Sequence, residues 1–161
     1  MRAPFQVLVI PFIQEKKKYY YALFKRADLN IWQFIAGGGK GKETPLQAAK
    51  REANEEAGID LNAPYIQLSS FCTIPALHIK GLLWGKEIIM IPEFTFAVKL
   101  NSKKLKITPA HTKYLWLPFE KAIKKLKYDS NKSALLELDF RLKTKTLKGI
   151  KANLEIIKKF L

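Results

Sequence analysis

An α/β sandwich around a mixed sheet is the predicted fold class, and three features of the sequence predict it. Strand-type segments fill much of the first hundred residues and recur at 114–117. One strongly capped helix interrupts them at 44–57, and further helical patterns follow only after residue 118. Strands, a helix, strands and then helices is the order expected of helices packed on a sheet. The 161 residues fit a single domain, predicted to span 1–161, with a Lys-rich helical tail from about 141.

The elements follow in order. Residues 5–12 form an apolar run and read as a buried strand. The polar stretch 15–18 is a turn, and the aromatic run 19–25 is a second strand, so the two predict a hairpin. Residues 32–35 are short and strand-like. The glycine cluster Gly37-Gly38-Gly39-Lys40-Gly41 reads as a loop. Thr44 is the N-cap of the next helix, Pro45 its first residue, Gln47 the partner of Thr44 in a capping box, and Gly58 its stop. Leu46, Ala49, Ala53 and Ala57 define its packing face. Strands are predicted at 65–74, 94–100 and 114–117, with an irregular loop or ragged hairpin between Pro75 and Pro92. Pro118 opens an amphipathic helix, and two further helices are predicted at 131–142 and 150–161.

Composition narrows the function. The sequence is 48% hydrophobic and 12% aromatic, which supports a core and excludes wholesale disorder. No apolar run approaches the ~18–20 residues of a membrane span. Residues 1–4 lead directly into a strand pattern and lack signal-peptide anatomy. Cys72 is the one cysteine, so no internal disulfide forms; a cytoplasmic setting is expected. The net charge is +15, yet 25 of the 29 basic residues are Lys. Arg is preferred for bidentate contacts to nucleic acid, so a nucleic-acid partner is not expected. Residues 1–98 hold 12 basic and 9 acidic side chains, a net of +3, and residues 99–161 hold 17 and 5, a net of +12.

The helix at 44–57 carries Glu52, Glu55 and Glu56 in its last turns, spaced so that all three share a side. Like charges at these spacings repel by roughly 0.2–0.5 kcal/mol per pair, and acids are disfavoured near a helix C-terminus. Arg51 can pair with Glu55 but cannot neutralise three carboxylates. A solvated acidic face is the ordinary reading of a charge run. Three of the chain's ten Glu crowded together in a protein at +15 favour another. Hard oxygen ligands in this arrangement suit Mg²⁺ or Mn²⁺. The glycines before the helix allow backbone to approach a phosphate or metal.

The segment 37–59 resembles the Nudix (MutT-like) box: Gly, five residues, Glu, seven residues, Arg-Glu, an apolar residue, any residue, Glu-Glu, any residue, Gly, an apolar residue. Gly37, Glu43, Arg51, Glu52, Ala53, Glu55, Glu56, Gly58 and Ile59 match it. The resemblance implies an α/β/α sandwich with a loop–helix–loop catalytic motif. It implies that Glu52, Glu55 and Glu56, with the carbonyl of Ala36, hold Mg²⁺, that one of the acids (in some members the one at Glu52) is the general base, and that Arg51 and Glu43 orient them. More weakly, residues 26–33 and the stretch from His111 through Trp116 to Asn131 are similar to the branch that includes dihydroneopterin triphosphate pyrophosphatase. The implied reaction is Mg²⁺-dependent cleavage of a nucleoside or pterin triphosphate to monophosphate and pyrophosphate. A dinucleoside polyphosphate or nucleotide sugar is the alternative substrate class. A basic RNA-binding or regulatory module without catalysis is the alternative function.

Three departures and several single residues complete the reading. Lys40 and Lys42 make the glycine segment more cationic than is usual in that branch. Ala110 stands where a carboxylate often precedes the histidine, leaving Glu93 or His111 as substitutes. The Lys-rich tail lies outside the resemblance. Gly37, Gly38 and Lys40 are expected at the phosphates. Arg26 reads equally as a phosphate contact or a surface ion pair. Trp32 reads as packing, with stacking on a base or pterin as the alternative; Phe71 and Trp84 also read as packing. Cys72 reads as a small core residue, His111 as an ordinary surface or satisfied histidine before a catalytic one, and His78 has no assigned role. The 150–161 helix is expected to dock on the core, with membrane-surface association the alternative.

Overall fold

A computed structural model describes residues 1–79, 81–148 and 158–160. Strand β1 (Arg2–Glu15) organises the sheet because its side chains alternate between two apolar layers. Val7 and Val9 face one layer; Leu8, Ile10 and Phe12 face the other. β2 (Lys18–Arg26) returns as a hairpin through Lys16 and Lys17, both at positive φ. The two-residue strand β3 (Trp32–Gln33) follows, then β4 (Ile35–Lys40), β5 (Tyr65–Pro75), β6 (Met90–Lys99) and β7 (His111–Leu117). The order is β3-β2-β1-β6-β5, with β4 pairing on β1 and β7 on β2. Among the described residues only β1 and β6 pair in parallel, so the sheet is mixed as expected.

Helix α1 (Pro45–Ala57) covers the Val7/Val9 face with Ala48, Ala49, Ala53 and Ala57. Helices α2 (Phe119–Lys125) and α3 (Asp129–Thr144) cover the other face with Ala122, Leu126, Ala134, Leu135 and Leu138. These layers make the expected α/β/α sandwich. A buried bond ties α3 to the sheet: the Tyr21 hydroxyl donates to Asp139 Oδ1 at 2.8 Å, and Lys143 pairs with Asp139 Oδ2 at 2.7 Å. Among the described residues, no helix is long and apolar enough to cross a membrane.

Several expectations change. The glycine cluster is not a loop. Gly37, Gly38 and Gly39 lie within β4, where Gly37 pairs with Val7 and Gly38 with Gln6; the chain turns only at Gly41, φ 56°. Residues 32–35 are not one strand. The chain breaks at Phe34, whose N–H donates to Asn131 Oδ1 at 2.8 Å instead of to a neighbouring strand. Leu46, assigned to the packing face of α1, is 41% exposed, and Ala48 occupies the core instead. Between Pro75 and Pro92 the ragged hairpin is what forms: β5 and β6 pair antiparallel up to Pro75 opposite Met90, and a 3₁₀ turn follows at Ala76–His78. The helix predicted at 150–161 falls largely outside the described residues.

Candidate functional site

Local rules place α1 and its acids. Gln47 N–H donates to Thr44 Oγ1 at 3.3 Å, and Thr44 N–H donates to Gln47 Oε1 at 2.8 Å, closing the capping box. Gly58 ends the helix in the left-handed region at φ 66°. The helix start lies directly after β4, so the last turns of α1 run back along the glycines. Glu52 then packs on Gly37 so closely that a Cβ there would fall 2.1 Å from the carboxyl carbon. A Cβ on Gly38 would fall 2.4 Å from Nε of Arg2, and one on Gly39 would fall 2.1 Å from the Phe5 ring. Close approach, not an unusual backbone, requires these glycines.

Arg51 is the hub of the acidic cluster. Nε and Nη2 donate to the two oxygens of Glu43 at 2.7 and 2.9 Å. Nη1 donates to Glu52 Oε1 at 2.7 Å and Glu55 Oε2 at 3.1 Å, and Nη2 also donates to the Gly38 carbonyl at 2.8 Å. A planar guanidinium can make this fork; a lysine cannot. Hydrogen bonding to Arg51 holds the Glu43 carboxyl below its ordinary range against the opposing effect of burial. Glu43 also accepts the Lys40 N–H at 2.8 Å, so it joins β4 to α1. Glu55 faces outward and pairs with Lys40 Nζ at 3.3 Å.

Glu56 differs from its neighbours. Arg51 does not reach it, and its Oε2 is buried without a hydrogen-bond partner. Burial, then the charges of Glu52 and Glu55, push its carboxyl up to about 8, against the opposing pull of Arg26. His111 Nε2 lies 3.7 Å from that oxygen, too long for a hydrogen bond. Burial, with the Arg26 charge, holds His111 below its usual value, so the two do not form an ion pair. The His111 ring packs on Phe24 at 5.3 Å, and its Nδ1 is also buried without a partner.

Glu56 opens onto a cavity of about 1020 Å³. Ala36 and Gly37 contribute one wall, Arg26 with Asp28 and His111 a second, and Glu93, Gln6 and Arg2 a third, with Asn131 and Ser130 at the start of α3. Among the described residues, no three Asp, Glu, His or Cys side chains already converge on one point. The orphaned Glu56 oxygen and the all-oxygen chemistry of the cluster nevertheless fit a hard divalent cation, which would relieve the repulsion there.

The structure brings together Ala36, Gly37, Glu52, Glu55, Glu56, Arg51 and Glu43 as expected from the sequence. Arg26 lines the cavity but is engaged by Asp28: Nε donates to Oδ1 at 2.8 Å, and Nη2 pairs with Oδ2. Trp32 does not line the cavity; it packs against the core beside α2, with Lys125 Nζ 5.1 Å from its ring centre. Phe71 packs edge-on against Phe94, and Trp84 donates from Nε1 to the Arg2 carbonyl at 2.8 Å. Cys72 is half-buried, and His78 lines the cavity.

Arg2 and Gln6 were not expected at the site. Gln6 carries a signal in retrospect: it is a polar residue in register with Leu8 and Ile10 on a core-facing row of β1. Arg2 offers no such signal, because only the fold sets its guanidinium against Gly38.

Comparison with known proteins agrees with the fold. The family model of the NUDIX domain matches residues 4–138. Dihydroneopterin triphosphate diphosphatase of Escherichia coli strain K12 is 28% identical over 137 residues, covering 83% of this chain and 91% of that protein. A crystal structure from Listeria monocytogenes, described as a NUDIX hydrolase, superposes with a TM-score of 0.82 at 40% identity, covering 89% of this chain and 97% of that one. The structure of the E. coli dihydroneopterin triphosphate pyrophosphohydrolase superposes with a TM-score of 0.72 at 24% identity, covering 86% and 97%, a likeness of fold.

Proposed function

The chain belongs to the Nudix family of pyrophosphohydrolases, and from that premise we propose that it cleaves a pterin or nucleoside triphosphate to monophosphate and pyrophosphate with Mg²⁺. The observation that carries the reading is the Arg51-held acid cluster with the orphaned Glu56 oxygen at the cavity. The E. coli relative that acts on dihydroneopterin triphosphate supports the substrate class.

Glu52, Glu55 and Glu56, with the carbonyl of Ala36, would hold the divalent cation. When bound, it supplies Lewis acidity toward the phosphate oxygens and water. The protein's own part is positioning and proton transfer. Arg51 fixes Glu52 against Gly37, so that carboxylate has one orientation. A glutamate of the cluster takes a proton from water as its oxygen attacks phosphorus, and the bridging P–O bond breaks toward the leaving group. Arg26 faces the same cavity and can exchange Asp28 for a phosphate oxygen.

The test is a panel of pterin and nucleoside triphosphates, nucleotide sugars and dinucleoside polyphosphates, assayed for pyrophosphate and phosphate release with and without Mg²⁺. Glu52→Gln and Glu56→Gln should each lower turnover by about 10²-fold or more while the folded far-ultraviolet spectrum is retained. Activity persisting in both variants would remove the site assignment. Turnover confined to sugar nucleotides or dinucleoside polyphosphates would replace the substrate class.

A further inference from the structure

Glu93 is a buried carboxylate that the phosphate chemistry leaves unused. It is 4% exposed, lines the same cavity as Glu56, and has no basic side chain paired with it among the described residues. Its Oε2 accepts from Gln6 Nε2 at 2.9 Å, and its Oε1 faces Cys72 Sγ at 3.4 Å. Gln6 and Cys72 are its register partners on either side, on β1 and β5, so three adjacent strands hold the carboxylate in place. Each oxygen has a second lone pair. Burying such a group is costly unless those sites are filled.

Its place in the sheet sets its distance from the chemistry. Gln6 pairs with Gly38 on one side and with Glu93 on the other, so Glu93 stands two strands away from the glycines of β4. At ~4.8 Å per strand step that is about 10 Å. Gly37, Glu56 and Glu93 line one cavity, so a substrate with its phosphates at the first two would reach Glu93 with its other end. The apolar side chains of Ile74 and Ile79 flank the cavity wall there.

We propose that Glu93 selects the heterocycle of the substrate, accepting two hydrogen bonds from a ring with adjacent ring N–H and exocyclic amino donors, the 2-amino-4-oxopyrimidine face of pterins and guanine. This rests on the triphosphate reading above and sharpens it. A carboxylate acceptor pair matches donor–donor edges. Adenine and cytosine place a ring-nitrogen lone pair beside the amino group, and that lone pair repels the carboxylate. Gln6 and Cys72 orient the acceptor through their contacts with its two oxygens. Within one active site, a polar mismatch of this kind discriminates far more strongly than an apolar one.

The experiment compares kcat/KM for dihydroneopterin triphosphate, dGTP, dITP and dATP in the wild type and in Glu93→Gln. The wild type should prefer dGTP to dATP by at least about tenfold. It should also lose roughly tenfold on dITP, which keeps the ring N–H and lacks the amino group. In Glu93→Gln both ratios should collapse, because an amide presents one acceptor and one donor. Titration calorimetry of dGMP and dAMP without metal reads the same preference independently of turnover. Equal wild-type rates on dGTP and dITP overturn the assignment, with no need for the variant to fold. So does an equal fall on every substrate in Glu93→Gln, which would make Glu93 part of the reaction chemistry. If no triphosphate is turned over, the triphosphate reading fails. The inference then stands or falls on calorimetry, where equal dGMP and dAMP affinities overturn it.

Discussion

Gly37 places a spatial demand on β4. Its φ is not in the left-handed region, yet a Cβ would meet the Glu52 carboxyl carbon at 2.1 Å. The obstructing atom is the end of a side chain, so the fold can yield by moving Glu52. Gly37→Ala should therefore lower kcat by about 10–10²-fold through misplacement of the Glu52 carboxylate, given its proposed role, and leave the melting temperature within a few degrees of wild type. Parallel kinetics and thermal melts check this; a large loss of stability with normal kcat would show that the glycine serves packing. Arg51 makes the complementary case. Its five donors reach three carboxylates and one carbonyl. Arg51→Lys keeps the charge and loses the fork, and should cut kcat by a similar factor with little change in KM. Full activity in Arg51→Lys would mean that charge alone orients the acids. At this scale the acids and Arg51 were legible because their spacing along one helix is local. Glu93 was legible only as a loose acid, because its partners Gln6 and Cys72 are 87 and 21 residues away.

Helix α1 is self-sufficient at its ends. The capping box at Thr44 and the left-handed Gly58 follow from sequence alone, and both appear in the structure. Thr44→Ala should cost about 1 kcal/mol in urea unfolding and leave catalysis nearly intact. Helix α3 is held differently. Glu137 accepts the Ser69 N–H at 2.8 Å, the Ser70 N–H at 2.7 Å and the Ser70 hydroxyl at 2.5 Å where the β5–β6 register shifts, and it pairs with Arg141 at 2.9 Å. Burial opposes ionisation, but these bonds from Ser70, Ser69 and Arg141 outweigh it and hold the carboxyl below its ordinary range. A depressed folded-state value means stability that is present above the unfolded value and is lost as pH falls through the folded one. Glu137→Gln should destabilise the protein by about 1–3 kcal/mol at pH 7. Denaturation from pH 7 to 3 should show that difference constant down to about pH 4.5 and shrinking below it. A difference independent of pH would mean that the clamp does not depend on charge. No spacing rule in the sequence connects Glu137 to residues 69 and 70. The clamp exists only because α3 crosses the bulged edge strand.

The whole molecule carries +15, and its candidate site sits in a locally acidic patch. On the proposed reading the substrate is a polyanion drawn in by the general positive field, so kcat/KM should fall as KCl rises from 50 to 300 mM, mainly through KM. A flat salt dependence would show that the Lys surplus has no part in capture. What the sequence determined by itself is local and periodic: the box helix with its caps, the acids at spacings of three and four, and the two apolar rows of β1. Those follow from interactions between near neighbours, which need no tertiary information. Only the tertiary structure decided that the glycines form a strand, that Leu46 faces solvent, and that Phe34 gives its N–H to Asn131. It alone placed Gln6, Glu93 and Arg2 on the cavity with Glu56. The reason is the parallel pairing of β1 with β6, which joins strands about ninety residues apart and leaves no trace in either segment read alone.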